Sequence, residues 1–388
     1  MKKVLSVLVM LLCLCLVACG GGNDSTIKLG SSGPLSGEAS IYGTSVKKGL
    51  ELAIEEINKA GGVNVNGEMK EFELVDFVND EADADKAGAA LATLVSKDVD
   101  VVVGAVTSGA TEGLISEAIK VGVPVITPTG TADKLTAGEK GDEREERSNI
   151  FRACFYDSYQ GKFMAQYANE KGLSKAYVLF NNDSDYSVGL KDAFVATGEE
   201  LGLEVVAAGY SQTDDDFSGL WAPIISGGYE CVYVPDYYQK VYNILKTGYG
   251  AGYTGVCYGG DGWDGVVKQL AENEDSSYLE NCFYTNHYFS GSERAEVKAF
   301  TTAFAAKYEG ETPDAFAALA YDAVFVVKQA IEAAGSVEYA AVVEALANGN
   351  FTGLVTSTAE FKFDANGNPQ KAATVITFKD GKEVEATN

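Results

Sequence analysis

From about residue 27 onward, apolar positions recur with two periods, every second residue and every third or fourth, and these segments take turns along the chain. Residues 27–31 read as a strand. Residues 42–60 read as a helix, with Val46, Leu50, Ala53, Ile54 and Ile57 on one face and Gly61-Gly62 as its stop. Residues 72–77 alternate as a strand and 83–97 follow as a helix. Residues 99–106 are apolar almost throughout, the pattern of a parallel strand covered on both faces. A helix over 111–121 and a strand over 123–127 complete the series, which predicts a doubly wound parallel sheet.

A charged segment, 139–147, reads as a solvated loop, and the pattern then restarts. Strands are expected at 176–180, 204–209, 231–234 and 255–258, with helices at 189–201, 217–225 and 240–248. Further helices are expected at 295–308, 315–333 and 337–347. Residues 358–363 and 374–379 read as a hairpin or strand pair joined by the turn Asp364-Ala365-Asn366-Gly367. Two such sheets in one chain imply two α/β lobes facing each other across a cleft. Ligands of open α/β sheets sit beyond the carboxyl ends of the strands, so the loops there hold the candidate chemistry.

In the first half, Thr107-Ser108-Gly109-Ala110-Thr111 opens a helix. A Ser108 hydroxyl beside free N–H groups suits a carboxylate or phosphate, although a plain helix cap explains Ser108 alone. It is neither a P-loop nor a dinucleotide fingerprint, because the glycine and lysine spacing is wrong. Pro128-Thr129-Gly130-Thr131-Ala132 brings further hydroxyls to the same sheet edge. In the second half, Tyr186, Tyr237 and Asp261 follow the strands expected at 176–180, 231–234 and 255–258, and Asp261 lies between Gly260 and Gly262. A carboxylate there can hold an ammonium group by a charge-assisted bond, whereas a turn or cap is the structural alternative. Neutral donors on one lobe and an acid with aromatic rings on the other would receive the two ends of a zwitterion, which gives ligand-driven closure a physical basis.

The N-terminus bears on where this happens. Lys2 and Lys3 precede an apolar run over 4–17, shorter than the ~20 residues a transmembrane helix needs. The run ends in Leu16-Val17-Ala18-Cys19, which is similar to a bacterial lipobox. Residues 1–18 are then a signal peptide, Cys19 carries the lipid, and the Gly-rich stretch to residue 26 is a tether. Without residues 1–18 the chain keeps 28 basic and 56 acidic residues, a net charge of −28. Phosphate binding needs clustered Lys and Arg, so nucleic acid is not an expected partner. Cys154, Cys231, Cys257 and Cys282 remain, and their compartment permits disulfides. A chain of this length can bury its core without them, so free buried thiols are expected.

These residues also resemble a known family, the type I periplasmic-binding-protein solute receptors of branched-chain amino-acid ABC importers. The resemblance spans nearly the whole exported chain. It is carried by Gly33-Pro34-Leu35-Ser36-Gly37 with Tyr42-Gly43, by Ile57-Asn58-Lys59-Ala60-Gly61-Gly62-Val63, by Ile126-Thr127-Pro128-Thr129-Gly130-Thr131 and by Phe151-Arg152 with Gln160-Gly161. Residues 233–238 and 313–322 fit it too. The resemblance implies that Ser108 and Thr131 bind a ligand carboxylate. Thr129 would offer its carbonyl, and Asp261 its carboxylate, to the ammonium. Tyr42, Tyr186 and Tyr237 would wall the pocket, with Trp263 beside them. The leucine receptors of the family carry Glu where this chain has Asp261, one methylene shorter. A three-crossing hinge is also implied, with one lobe of residues 27–148 plus 284–355 and the other of 149–283 plus 356–388. The implied partners are an amino-acid ligand and the permease subunits of an ABC importer, with the receptor itself a monomer without cofactor.

Other chemistries find little footing. His287 is the single histidine, which excludes His-rich metal sites, and it reads as a hinge or packing residue. No GxSxG elbow accompanies it. Asp214-Asp215-Asp216 reads as a solvated helix start. Asp364 to Asn368 opens like a calcium loop, but the twelfth position is Val375 rather than Glu, which leaves a β-turn. The competing functions are a ligand-sensing module of the same fold and, with no base in sight, a secreted hydrolase.

Overall fold

The computed structural model describes residues 26–138, 144–358 and 360–386; Cys19 and the signal and tether before Thr26 lie outside these, as do residues 139–143 of the charged segment 139–147. Among the described residues thirteen strands form two sheets. The first contains β1 (Thr26–Gly33), β2 (Val63–Val65), β3 (Glu68–Asn79), β4 (Val101–Val103), β5 (Val125–Thr127) and β6 (Ile150–Arg152) in the order β2-β3-β1-β4-β5-β6. The second contains β7 (Lys175–Asn181), β8 (Glu204–Tyr210), β9 (Cys231–Tyr233), β10 (Val256–Gly259), β11 (Cys282–Asn286), β12 (Thr374–Lys379) and β13 (Lys382–Glu385) in the order β13-β12-β11-β10-β9-β7-β8. Both are parallel except at one edge, where β2 pairs antiparallel with β3 and where β12 pairs antiparallel with β11 and β13.

Helices cover both faces of each sheet. In the first lobe α1 (Ser40–Lys59) lies on one side, α2 (Ala84–Val95) and α3 (Ser108–Val121) on the other, and α4 (Lys134–Ala137) follows β5. The strand residues alternate accordingly: Val101 and Val103 join the core around α1, and Val102 joins the one under α2 and α3. In the second lobe α5 (Asp157–Glu170) and α6 (Asp185–Glu200) cover one face, while α7 (Ser218–Gly227) and α8 (Tyr238–Gly250) cover the other. After β11, α9 (Ala295–Lys307), α10 (Ala315–Ala334) and α11 (Tyr339–Asn348) return to the first lobe, where α9 and α10 pack with Leu52 of α1. The predicted doubly wound, two-lobed α/β architecture is the one observed.

Several boundaries need correction. The strand expected over 99–106 pairs only at Val101–Val103. Beyond it, the carbonyls of Ala105 and Val106 accept the hydroxyls of Thr127 and Thr129 instead of continuing the ladder. Helix α5 was not expected from the pattern, because Gly161 stands in its middle. A Cβ there would come within 2.6 Å of the Leu190 carbonyl, so the glycine lets α5 and α6 approach closely. The pair expected between 358–363 and 374–379 does not form. Strand β12 turns at Asp380-Gly381, both at positive φ (51° and 71°), into β13. Phe361 and Phe363 instead bridge to Phe351 and Pro369. Residues 364–368 do form the expected turn, with Gly367 N–H donating to the Asp364 carbonyl at 3.0 Å.

Sheet membership also shifts the hinge. Strand β6 belongs to the first sheet, β11 to the second, and Phe363 packs at a tilt against Phe151 of the first lobe, with ring centroids 4.9 Å apart. The crossings therefore fall near residues 153–156, 287–294 and 370–373, later than the boundaries after 148, 283 and 355. Arg147, expected in a solvated loop, is buried and paired with Glu112 at 2.9 Å. Cys154, Cys231, Cys257 and Cys282 are free and buried. No described helix is long and apolar enough to cross a membrane, and no described cluster of His, Cys, Asp or Glu could hold a metal ion.

Candidate functional site

In each sheet the chain reverses direction of travel at one point, between β1 and β4 in the first and between β7 and β9 in the second. The loops leaving these strands face one another and close on a narrow cavity. Tyr42, Ser108, Thr129, Thr131, Tyr186, Tyr237 and Asp261, the seven residues singled out in the sequence, all line it, together with Gly262, Val106, Thr107 and Phe316. Trp263 does not. It is buried behind, its indole N–H donating to the Val234 carbonyl at 2.7 Å.

On the first lobe, Ser108 occupies the first turn of α3 and Thr107, not Ser108, is the N-cap residue. The Ser108 hydroxyl accepts the Ala132 N–H at 3.2 Å, which ties the two hydroxyl-bearing loops together and leaves its own proton to donate. Under the second loop lies Arg152, fully buried. Its guanidinium donates to the carbonyls of Gly130, Thr131, Ala132 and Asp133 at 2.7–3.2 Å and to Thr136 Oγ1 at 2.9 Å. A planar fork with five donors suits this task, and it places a permanent positive charge beneath the loop. Gly130 admits no side chain, since a Cβ would meet Thr127 Oγ1 and Thr111 Oγ1 within 2.9 Å.

On the second lobe, Asp261 starts a short 3-10 turn after β10. Its Oδ1 accepts Gln160 Nε2 at 3.0 Å and the Tyr186 hydroxyl at 2.9 Å, and its Oδ2 lies 3.0 Å from His287 Nε2. Gln160 is oriented in turn by the Asp261 N–H at 3.0 Å and the Thr285 hydroxyl at 2.9 Å, both donating to Oε1. The flanking glycines have a direct explanation: a Cβ on Gly260 or Gly262 would come within 2.8 Å of the Tyr186 hydroxyl, which also accepts the Gly262 N–H.

His287 follows β11 at the second hinge crossing and stacks on Phe155 at 3.7 Å. Burial drives its pKa down to about 4 against the opposing pull of Asp261. The ring is therefore neutral at pH 7 and donates Nε2–H to Asp261, which leaves that carboxylate uncompensated by any cation of the described residues within ion-pair distance. His287, read as a hinge or packing residue, packs on Phe155; its contact with Asp261 was not foreseen, and neither was the part played by Gln160 and Arg152. Gln160 and Arg152 stood within motifs already noted, whereas nothing local to His287 points at Asp261. A further buried acid, Asp157 at the start of α5, finds no hydrogen bond of good geometry, and burial pushes its pKa well above the carboxylate range.

The aromatic wall is a continuous stack. Tyr42 lies flat on Phe316 at 4.0 Å, Tyr186 lies on Tyr237 at 5.0 Å, and Tyr42 meets Tyr237 edge-on at 5.5 Å. Tyr42 also fastens the lobes, donating its hydroxyl to the Gly262 carbonyl and accepting the Tyr238 N–H at 3.2 Å. Lys268–Asp314 at 2.8 Å and Lys134–Asp185 at 3.1 Å join the lobes farther out. The cleft is closed over the cavity.

Comparison with known proteins places this arrangement. A family model described as periplasmic binding protein matches residues 26–383. A relative named Leu/Ile/Val-binding protein homolog 3, from Brucella melitensis, is 32% identical over 325 residues, 83% of each chain. The branched-chain amino acid transporter substrate-binding protein LivJ of Streptococcus pneumoniae, solved with isoleucine, superposes with a TM-score of 0.82 at 32% identity over 93% of this chain and 100% of that one. A leucine-binding protein of Thermotoga maritima superposes with a TM-score of 0.83 at 27% identity, over 93% of this chain and 98% of that one. Two doubly wound lobes closed over a cavity at their switch points, and a family match from end to end of the described chain, make this protein a member of the periplasmic binding protein family.

Proposed function

We propose that the protein is the extracytoplasmic solute-binding component of an ABC importer, anchored to the membrane through a lipid on Cys19, and that it delivers an α-amino acid, branched-chain or related, to the permease. The observation that carries this reading is the polarity of the cavity: hydroxyl donors above a buried guanidinium on one side, and an unneutralised carboxylate on the other. In this account Ser108 and Thr131 bind the ligand carboxylate, and the Thr129 carbonyl and Asp261 bind its ammonium. Tyr42, Tyr186, Tyr237 and Phe316 surround the side chain. The small, ring-lined cavity favours a compact apolar side chain over a long charged one. Relatives named for leucine, isoleucine and valine support the same class. The protein itself does no chemistry; binding energy is spent on closing the lobes.

A thermal-shift screen of ligand-stripped protein lacking residues 1–19 tests this directly. Saturation at 100 times the dissociation constant should stabilise by about 2.7 kcal/mol. A response to branched-chain L-amino acids is expected; silence toward every α-amino acid would overturn the reading. Labelling with a radioactive fatty acid in cells, abolished by Cys19→Ala, tests the anchor separately.

A further inference from the structure

On the far side of the hinge from the cleft lies a second and larger cavity, of about 460 Å³ and open to solvent. Its walls include the second and third crossings, through His287 and Lys371, together with Thr356 and with Arg294 at the start of α9. Two cations therefore line it in a chain whose net charge is −26. Among the described residues Glu385 is the one carboxylate in its wall, and it is exposed at the rim.

Lys371 is the anomaly. Its ammonium donates to Thr356 Oγ1 at 2.7 Å and, weakly, to the Ala153 carbonyl at 3.4 Å, and no carboxylate of the described residues pairs with it. The nearest acid in this network, Asp322, is reached only through Thr356, whose hydroxyl and N–H both donate to Asp322 Oδ2 at 2.7 Å. Burial lowers the Lys371 pKa to about 8. Lys371 is half-buried at the wall of this open cavity, and an ammonium partly withdrawn from water without a direct counter-charge is unfavourable, so proteins normally supply one. The chain has 56 acidic residues, and none among the described residues pairs with it. Arg294 brings a guanidinium to the cavity's edge, where it donates to the carbonyls of Val355 at 2.8 Å, Leu354 at 3.1 Å and Ser357 and lies 3.5 Å from the Glu296 carboxylate, so its charge is shared with that acid.

We propose that this rear cavity is a second binding site, for a small oxyanion (a carboxylate or a phosphate), held by the Lys371 ammonium and the Arg294 guanidinium. It is independent of the amino-acid reading of the cleft. Because Lys371 also touches Ala153 of the first crossing, an occupant joins all three hinge segments of the closed form.

The test is thermal stability of ligand-stripped protein lacking residues 1–19, titrated with sodium phosphate and, separately, sodium acetate, against sodium chloride at matched ionic strength. The expected result is a saturable rise of about 2–3 °C with a midpoint near ~1–10 mM for one oxyanion, which also identifies its class. Lys371→Met should abolish the saturable part and Lys371→Arg should keep it. Glu385→Gln, a change at an exposed site that leaves folding intact, should lower the midpoint about threefold. A rise that follows ionic strength alone overturns the proposal. So does a saturable rise that Lys371→Met and Glu385→Gln both leave unchanged, since that places the anion elsewhere, including at the Ser108 and Thr131 hydroxyls. If Lys371→Met fails to fold, the Glu385→Gln midpoint decides: unchanged, it rejects the site.

Discussion

The imidazole of His287 stands 3.0 Å from the Asp261 carboxylate, and burial keeps that imidazole neutral. The pair thus looks like an ion pair and is not one. A protonated histidine would compete with a ligand ammonium for Asp261, whereas a neutral one orients the carboxylate and leaves its charge to the ligand.

A pH dependence follows from the sign of this shift. The folded pKa of His287, about 4, lies below the ordinary value of 6.5, so the unfolded chain binds a proton that the folded one refuses. The contribution of His287 is fully present above pH 6.5 and declines as pH falls toward 4, by on the order of 3 kcal/mol in total. His287→Gln, measured against the parent by denaturant unfolding from pH 7 to pH 4, should therefore gain relative stability as pH falls. A parallel pair of curves would show that the ring is not held neutral.

Glu383 carries the opposite sign. Burial, with the charges of Asp264 and Asp314, raises its pKa from 4.5 to about 8, and its Oε1 has no partner. A raised carboxyl gives stability that is complete below pH 4.5 and lost as pH rises through 8. Glu383→Gln should raise Tm by an amount that grows between about pH 5 and pH 8 and then levels off. A constant difference across that range would refute the assignment.

Arg152 holds four successive carbonyls of the 130–133 loop from below. Arg152→Met leaves those acceptors buried without donors and should cost about 3–5 kcal/mol of unfolding free energy. Arg152→Lys should recover only part of it, because an ammonium lacks the planar fork. Full recovery by lysine would mean that charge, not geometry, is what the loop needs.

Thr131→Val tests the carboxylate side. Loss of one hydrogen bond to a charged group should weaken amino-acid binding about 10–100-fold while shifting Tm by no more than 1–2 °C. Calorimetric titration reads the first and a thermal scan the second; unchanged affinity removes Thr131 from the site.

Much of this site was legible because strand ends are legible. Ser108, Thr129, Thr131, Tyr186, Tyr237 and Asp261 each lie just beyond a strand with a strong apolar signature, and the rule for open α/β sheets converts that position into a cleft position. Tyr42 came from the family motif. What escaped were relations between distant segments. Helix α5 was hidden by Gly161, whose reason is the neighbouring helix α6, and with it went the placement of Gln160. His287 meets Asp261 across adjacent strands β10 and β11, a pairing that needs the strand order. The Asp380-Gly381 hairpin was readable in principle, but the alternation around Phe361 and Phe363 drew the pairing to the wrong segment; those rings pack with Phe151 and Phe351 instead.

The central claim is that both ends of a zwitterion are recognised, one by each lobe. Isothermal titration of ligand-stripped protein with L-leucine and with 4-methylpentanoate, which has the same carboxylate and side chain but no amine, tests it most directly. Micromolar or tighter binding of L-leucine, or of L-isoleucine or L-valine in its place, is expected, with the deamino analogue at least 100-fold weaker and with Asp261→Asn reducing that gap to about tenfold or less. Equal binding of the amino acid and its deamino analogue, or undiminished amino-acid affinity in Asp261→Asn, would contradict it.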